Sequence, residues 1–310
     1  MTTKIEWTDV THQLTTGCMQ CSPGCANCYA ERMHRRLHGK GLPLYQQPFG
    51  EVKCWPEQIA AISSLKVPRK HKGSYRVFVN SMSDLFHKDV PLSFILFAFV
   101  AFAARQDITF QVLTKRADRM AALINAWIKD RVTFREGITG RLPNNIWPMV
   151  TICNQDEADR NIPYLLQVPA AVRGVSIEPM LGPVLLDMPP ARFHERELDW
   201  VICGGETGPG ARPMHPDWVR SLRDQCQEAG VPFFFKGWGD WEPIASFDNQ
   251  TREEMERIIE VDERRCAFLS PLGEVYPDDM PPDGSWVVCR VGKKAAGRVL
   301  DGRTWEEFPG

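Results

Sequence analysis

Short apolar, β-branched runs recur along the chain, each closing on polar or glycine-rich positions. They are YRVFVNSMSD (75–84), ITFQVLTKR (108–116), NIWPMVTICNQ (145–155), VRGVSIEP (172–179), LDWVICGGETG (198–208) and VPFFFKGWGDW (231–241). Between them lie stretches with helical spacing of apolar positions: PLSFILFAFVAFAARQ, RADRMAALINAWIKD, QDEADRNIPYLLQ and PDWVRSLRDQCQEAG. Strands covered on both faces read as nearly continuous apolar runs, and parallel neighbours need long crossovers, usually helical. The alternation therefore predicts an α/β fold built on a parallel sheet. With one more strand over about residues 10–16, seven βα-type units result, which suits a complete or partial (β/α) barrel. A doubly wound open sheet is the alternative.

The strand ends matter because barrels of this type carry their chemistry at the C-terminal ends of the strands. In chain order those ends hold the cysteine-rich stretch TTGCMQCSPGCANCYAERM, Asn80-Ser81-Met82-Ser83-Asp84, Thr114-Lys115-Arg116, Asn154, Glu178, Gly204-Gly205-Glu206 and Lys236. Any one of these is explained by the needs of a turn; as a set they point to a shared rim. From about residue 245 the pattern changes. SFDNQTREEMERIIEVDERR reads as a charged loop and helix, and the remainder is turn-rich with short strands. The expected division is a barrel over 1–244 and a small C-terminal extension over 245–310. RVGKKAAGR (290–298) is basic, and reads either as a solvated loop or as a contact for phosphates.

Composition changes this picture little. Of the 310 residues 43% are hydrophobic and 25% charged, the balance of a globular chain able to bury a sizeable core. The net charge of −2 excludes a general basic footprint, so contact with nucleic acid would need a local patch. The N-terminus MTTKIEWTDV has no apolar run of a signal peptide, and the apolar run 91–104 is too short to span a bilayer and predicts a buried helix. A cytoplasmic protein with no membrane role is expected. In that reducing compartment the ten cysteines are expected as thiols or ligands, since disulfides are rare there.

Cys18, Cys21, Cys25 and Cys28 fall within eleven residues. Cys21, Cys25 and Cys28 have the spacing C-x3-C-x2-C, and Cys18, Cys25 and Cys28 have C-x6-C-x2-C. Three thiolates on a tight loop hold three irons of a [4Fe–4S] cluster and leave the fourth open to a small-molecule ligand. Structural zinc more often joins two separated C-x2-C hairpins, though a compact knuckle of all four thiols is a second reading. Cys54, Cys153, Cys203, Cys226, Cys266 and Cys289 are scattered singly and read as core or surface thiols.

The C-x3-C-x2-C spacing after a first barrel strand resembles that of radical S-adenosylmethionine (radical SAM) enzymes. More specifically, KIEWTD, GC…SPGCANCYAERM, VFVNSMSDLFHKDVP, VLTKRADRM, VSIEPMLGPV, DWVICGGETGPGARPMHPDWVRSLRDQC, PFFFKGWGDW and VGKKAAGRVLDGRTWEEFP resemble a phage and prophage family of three-cysteine-motif proteins that look like radical SAM proteins. The likeness runs over nearly the whole chain. That family's motif matches Cys18, Cys25 and Cys28, whereas the general radical SAM spacing selects Cys21, Cys25 and Cys28. The sequence departs from the wider pattern at Asn27, where an aromatic residue is usual, and in placing Gly-Gly-Glu after the sixth strand rather than the second.

The resemblance implies a [4Fe–4S] cluster, S-adenosylmethionine, a reducing electron donor of flavodoxin or ferredoxin type, a site in the host cytoplasm, and radical chemistry. A nucleotide or nucleic-acid base is the substrate that phage modification or repair would suggest. On this reading Ser81 and Asp84 grip the SAM ammonium, Lys115 and Arg116 face a carboxylate or phosphate, and Glu178 takes a ribose hydroxyl. Glu206 and Lys236 face the substrate as catalytic groups, with Trp238 stacking on a planar base. The plainer readings are a surface lysine, turn-capping carboxylates and a core tryptophan. His34, His87 and His215 are expected to be structural. The rival function is a non-catalytic phage protein whose zinc or iron–sulfur site is structural and which binds nucleic acid or protein. An enzyme using the strand-end carboxylates without SAM is a further one.

Overall fold

The computed structural model describes residues 3, 5–71, 75–130, 140–191, 197–246, 266–276 and 281–310. Seven strands form the main sheet: β1 (Val10–His12), β2 (Tyr75–Val79), β3 (Ile108–Thr114), β4 (Ile146–Ile152), β5 (Gly174–Ile177), β6 (Trp200–Gly204) and β7 (Phe233–Gly237). They stand in the sheet in chain order, and β1·β2, β2·β3, β3·β4 and β6·β7 pair in parallel. A doubly wound sheet reverses its strand order at a switch point, whereas a (β/α) barrel adds each strand beside the last. The order therefore decides for the barrel, and because β1 and β7 end the sheet the barrel is partial. The strand expected over 10–16 is split: Thr15–Thr16 leaves the sheet and pairs antiparallel with Lys53–Cys54. The helices are α1 (Tyr29–Gly39), α2 (Pro56–Ala61), α3 (Leu92–Ala104), α4 (Ala117–Lys129), α5 (Gln155–Leu166) and α6 (Pro216–Ala229). Among the described residues no helix is long and apolar enough to cross a membrane.

The chain divides into two compact units, Met1–Thr151 with Asp159–Val175, and Ile152–Ala158 with Ser176–Gly310. In the first, α3 is apolar almost throughout and buries Phe94, Ile95, Ala98, Phe99, Phe102 and Ala103. Phe102 stacks on Phe110 of β3 with ring centroids 4.4 Å apart, each buried ring contributing about 1.5–3 kcal/mol. The helix is not buried all round, as its pattern suggested: Phe97 is 63% exposed. Asn145, just before β4, donates its amide to the carbonyls of Phe102, Arg105 and Ile108 and so ties the end of α3 and the start of β3 to the next strand. Arg119 of α4 donates to the carbonyls of Phe86, His87 and Val90 and so fixes the turn that follows β2.

In the second unit β6 is wholly buried, and α6 is capped by His215, which accepts from the Asp217 N–H, and closed by Gly230 at φ 64°. A separate antiparallel sheet contains β8 (Trp241–Ser246), β9 (Cys266–Leu269), β10 (Val275–Tyr276) and β11 (Trp286–Arg290), in the order β8-β11-β9-β10. Its register sets Cys266 opposite Cys289, and the two form a disulfide, correcting their reading as single thiols. The pairing depends on strand register, to which a separation of 23 residues gives no clue. The C-terminal tail covers the edge of β7: Phe234 bridges Glu306, and the Phe235 N–H donates to the Trp305 carbonyl. Most of the stretch expected as a charged loop and helix, residues 247–265, lies outside the described residues.

Candidate functional site

The cysteine loop joins β1 to α1. Its entry is fixed by Gly17, whose φ of +85° and close packing admit no side chain: a Cβ there would lie 2.1 Å from the Glu51 carbonyl oxygen. Gly17 bridges Ser83 in parallel, and the Cys18 N–H donates to Phe49 O at 2.8 Å. The loop then makes a single tight turn over Pro23–Cys25, capped by the Ser22 hydroxyl on the Gly24 N–H at 3.0 Å. Cys28 directly precedes α1, and Tyr29 donates its hydroxyl to the Ser81 carbonyl. Cys21 is exposed, while Cys18, Cys25 and Cys28 are half-buried.

The end of β3 supplies charge beside these thiols. The Arg116 guanidinium lies 3.9 Å from Cys18 Sγ, donates to Met19 O at 3.0 Å and pairs with Asp84 at 2.8 Å. Burial opposes the Arg116 charge, but Asp84 and the neighbouring cysteines outweigh it and raise its pKa. Burial, followed by the Asp84 charge, pushes the Cys18 thiol up to about 11. Cys21 donates to Cys25, which lowers the Cys25 pKa and raises that of Cys21; Lys115 adds to the first effect.

Asp84 is buried and accepts four hydrogen bonds: Phe86 N–H and Thr114 Oγ1 on Oδ1, Lys115 N–H and Arg116 Nη1 on Oδ2. The Ser81 hydroxyl accepts from the Gln13 amide at 2.7 Å. Lys115 Nζ has no hydrogen bond or ion pair among the described residues. Thr114 was named at its strand end without a role, and Gln13 escaped the sequence reading. A polar Thr-Lys-Arg run at a strand end was the available signal for the first, and for the second there was none.

The second unit holds the other candidates. Lys236 Nζ, at the end of β7, meets Glu178 Oε1 at 2.5 Å just beyond β5, with Gly204 between them. A Cβ at Gly204 would come within 3.2 Å of the Lys236 Cβ, so the glycine makes room for this pair. Glu206 is buried and forked by Arg212, Nη2 to Oε1 at 2.7 Å and Nε to Oε2 at 2.9 Å, with the Arg212 N–H on Oε2 as well. Its partner is therefore Arg212 rather than Lys236. Gly205 and Gly239 allow the chain beyond β6 to touch that beyond β7: a Cβ on Gly205 would sit 2.0 Å from Trp238 O. Packing thus explains both glycines of Gly-Gly-Glu, Gly204 against the Lys236 and Glu178 side chains and Gly205 against backbone. Trp238 is buried against Phe235 and donates to Val299 O at 2.9 Å, so it is a core residue and not a stacking platform. His34 and His215 are buried against the carbonyls of Gln47 and Gly284, and His87 accepts from the Asp89 N–H, as structural residues do.

The donor set suits a cluster held by three thiolates. It offers three sulfurs besides Cys21 on one short loop, with Arg116 and Lys115 supplying positive charge beside Cys18 and Cys25. The sulfurs are not pre-converged: among the described residues no three His, Cys, Asp or Glu side chains are arranged around a metal position.

A family model described as protein of unknown function (DUF5131) matches residues 2–309. No curated protein matches the chain. Among solved structures it is similar to a cysteine-to-serine mutant of spore photoproduct lyase, at 12% identity over 89% of this chain and 67% of that one, with a TM-score of 0.42. A double mutant of that lyase with bound AdoMet and dinucleoside spore photoproduct matches at 12% identity, 89% and 67% coverage and a TM-score of 0.41. A third structure, complexed with dinucleoside spore photoproduct, matches at 11% identity, 88% and 66% coverage and a TM-score of 0.38.

Proposed function

The chain belongs to the family described as protein of unknown function (DUF5131), and from its cysteine loop we propose that it is a radical SAM-type enzyme. The observation that carries this is the loop itself: four thiols on one short loop after the first strand of a parallel partial barrel, with two cations at the end of β3 beside them. Cys25, Cys28 and one of Cys18 and Cys21 supply the thiolates. A [4Fe–4S] cluster bound there with S-adenosylmethionine would supply one-electron radical chemistry for hydrogen-atom abstraction from the substrate, the electron coming from a flavodoxin- or ferredoxin-type donor.

The chain's own residues orient that chemistry. Lys115, whose Nζ has no hydrogen bond or ion pair among the described residues, binds the SAM carboxylate or a substrate phosphate. Ser81, whose oxygen already accepts from Gln13, keeps its O–H to donate to the same carboxylate. With four donors on its oxygens, one of them the Arg116 guanidinium, Asp84 has little charge left for the SAM ammonium and serves mainly to hold Arg116. Glu178 would offer Oε2 to a ribose hydroxyl while Lys236 holds Oε1, and Lys236 is proposed to hold a proton at Nζ for the substrate. Glu206 shapes the 206–212 loop through Arg212. The substrate proposed is a nucleotide or nucleic-acid base, whose phosphate would meet Lys115.

Anaerobic reconstitution with iron and sulfide, dithionite reduction and addition of SAM tests the reading. A reduced [4Fe–4S] paramagnetic resonance signal that shifts with SAM, together with 5′-deoxyadenosine, is expected. Protein that keeps one zinc and ignores SAM would refute it in favour of a structural metal site. Nucleic acid with deuterated sugars or bases tests the substrate class: deuterium appearing in 5′-deoxyadenosine supports it, and its absence with every nucleotide tried removes it.

A further inference from the structure

Asp84 and Arg116 hold the cysteine loop from a direction that the cysteine spacing does not show. We propose that this pair is a built-in electrostatic support for Cys18: Asp84 fixes Arg116, and Arg116 sets the position and charge environment of the Cys18 sulfur. The proposal rests on the cluster reading above and concerns only the chain's own residues.

Cys18 is the cysteine whose backbone is anchored on several sides. Gly17 beneath it is wedged against Glu51 O and bridges Ser83, and its own N–H is bound to Phe49 O. Arg116 reaches it from the end of β3 with one guanidinium face serving three acceptors: Cys18 Sγ at 3.9 Å, Met19 O at 3.0 Å and Asp84 Oδ2 at 2.8 Å. Only a planar, multi-donor fork serves three acceptors in fixed directions; an ammonium acts as a point charge. The Arg116 and Asp84 side chains are 15% and 8% exposed, so water screens the contact little. Asp84 cannot swing away, because Phe86 N–H, Thr114 Oγ1 and Lys115 N–H hold its carboxylate.

The consequence follows from charge. Reduction adds one electron to a cluster whose ligands are already anionic, and a cation donating to a ligand sulfur favours the more negative state. Hydrogen bonds and charge at the sulfurs are recognised determinants of cluster potential. Arg116 is therefore a positioning residue that raises the cluster's reduction potential through Cys18.

The test compares wild type, R116K, R116Q, the double variant D84N/R116Q and C18S after anaerobic reconstitution. Iron and sulfide content and the midpoint of a redox titration followed by paramagnetic resonance are the readouts. R116Q is expected to shift the midpoint to more negative potential, R116K to recover most of the shift, and C18S to lose iron. The double variant removes the unpaired carboxylate that could unfold R116Q, and it is expected to keep part of the negative shift. A midpoint unchanged in both R116Q and the double variant overturns the proposal, as does C18S that keeps full iron and the wild-type midpoint. Wild-type protein that binds no iron instead removes the cluster reading, and this proposal with it.

Discussion

Gly17→Ala isolates the contact that fixes the entry to the cysteine loop. Two penalties act at this position. The left-handed φ of +85° costs an alanine about 1–2 kcal/mol. The added Cβ would also stand 2.1 Å from Glu51 O and 2.9 Å from Phe49 O, both backbone atoms that no rotamer change can move aside. Forcing such a contact apart costs about 1–3 kcal/mol more. Against this, alanine reduces the freedom of the unfolded chain by about 0.4–1 kcal/mol. Gly41→Ala is the matched control, because Gly41 has φ +72° but nothing within 4 Å of its would-be Cβ. It carries the first and last contributions without the clash, so the two variants should differ by about 1–3 kcal/mol, Gly17→Ala being the less stable. Urea unfolding of the reduced protein, compared at constant slope, measures the difference. Equal midpoints for the two variants would refute the close packing of Gly17 under residues 49–51. If the loop holds the proposed cluster, iron retention gives a second readout: displacement of Cys18 predicts lower iron content in Gly17→Ala and unchanged content in Gly41→Ala.

Burial lowers the pKa of His12, His87 and His215 below its ordinary value of 6.5, so the folded state holds them neutral where the unfolded chain would bind protons. Their contribution is fully present above pH 6.5 and is lost as the pH falls toward the lowered folded values. Unfolding midpoints should therefore drop between pH 7.5 and 5.5, less so in His215→Asn, and a flat profile would contradict this. The Cys266–Cys289 disulfide closes a loop of 23 residues, worth about 3 kcal/mol on chain-entropy grounds. Oxidised protein should lose that much on reduction, while Cys266→Ser should be insensitive to the reductant. Lys236→Met removes the partner of a half-buried Glu178; the expected loss is about 1 kcal/mol of stability, with a larger loss of SAM affinity if Glu178 holds the ribose. Calorimetric titration with SAM separates the two effects, and unchanged affinity would sink the ribose assignment.

Much of the fold was legible because hydrophobic periodicity is a local property of the chain. The six apolar runs each became a strand of the main sheet, and the four helical stretches became α3 to α6. The cysteine spacing likewise suggests a cluster without reference to the fold, since a cluster needs only a few thiols on a short loop, and the reconstitution proposed above tests it. Polar residues at strand ends were legible as a set, though their partners were not. The same pattern does not say that Asp84 is spent on Arg116, that Glu206 belongs to Arg212, or that Trp238 is core. Each of those depends on which strand lies beside which, and the sequence leaves neighbours undetermined.

The sequence by itself determined the element types, the parallel character of the sheet and the presence of a thiol-rich loop after the first strand. Tertiary structure alone decided between the barrel and the doubly wound order, the register that joins Cys266 to Cys289, and the guanidinium set against Cys18. The division has one physical cause. Periodicity and motif spacing act over a few residues, while pairing, register and charge contacts join positions such as 18 and 116, nearly a hundred residues apart, and exist only once the chain has packed.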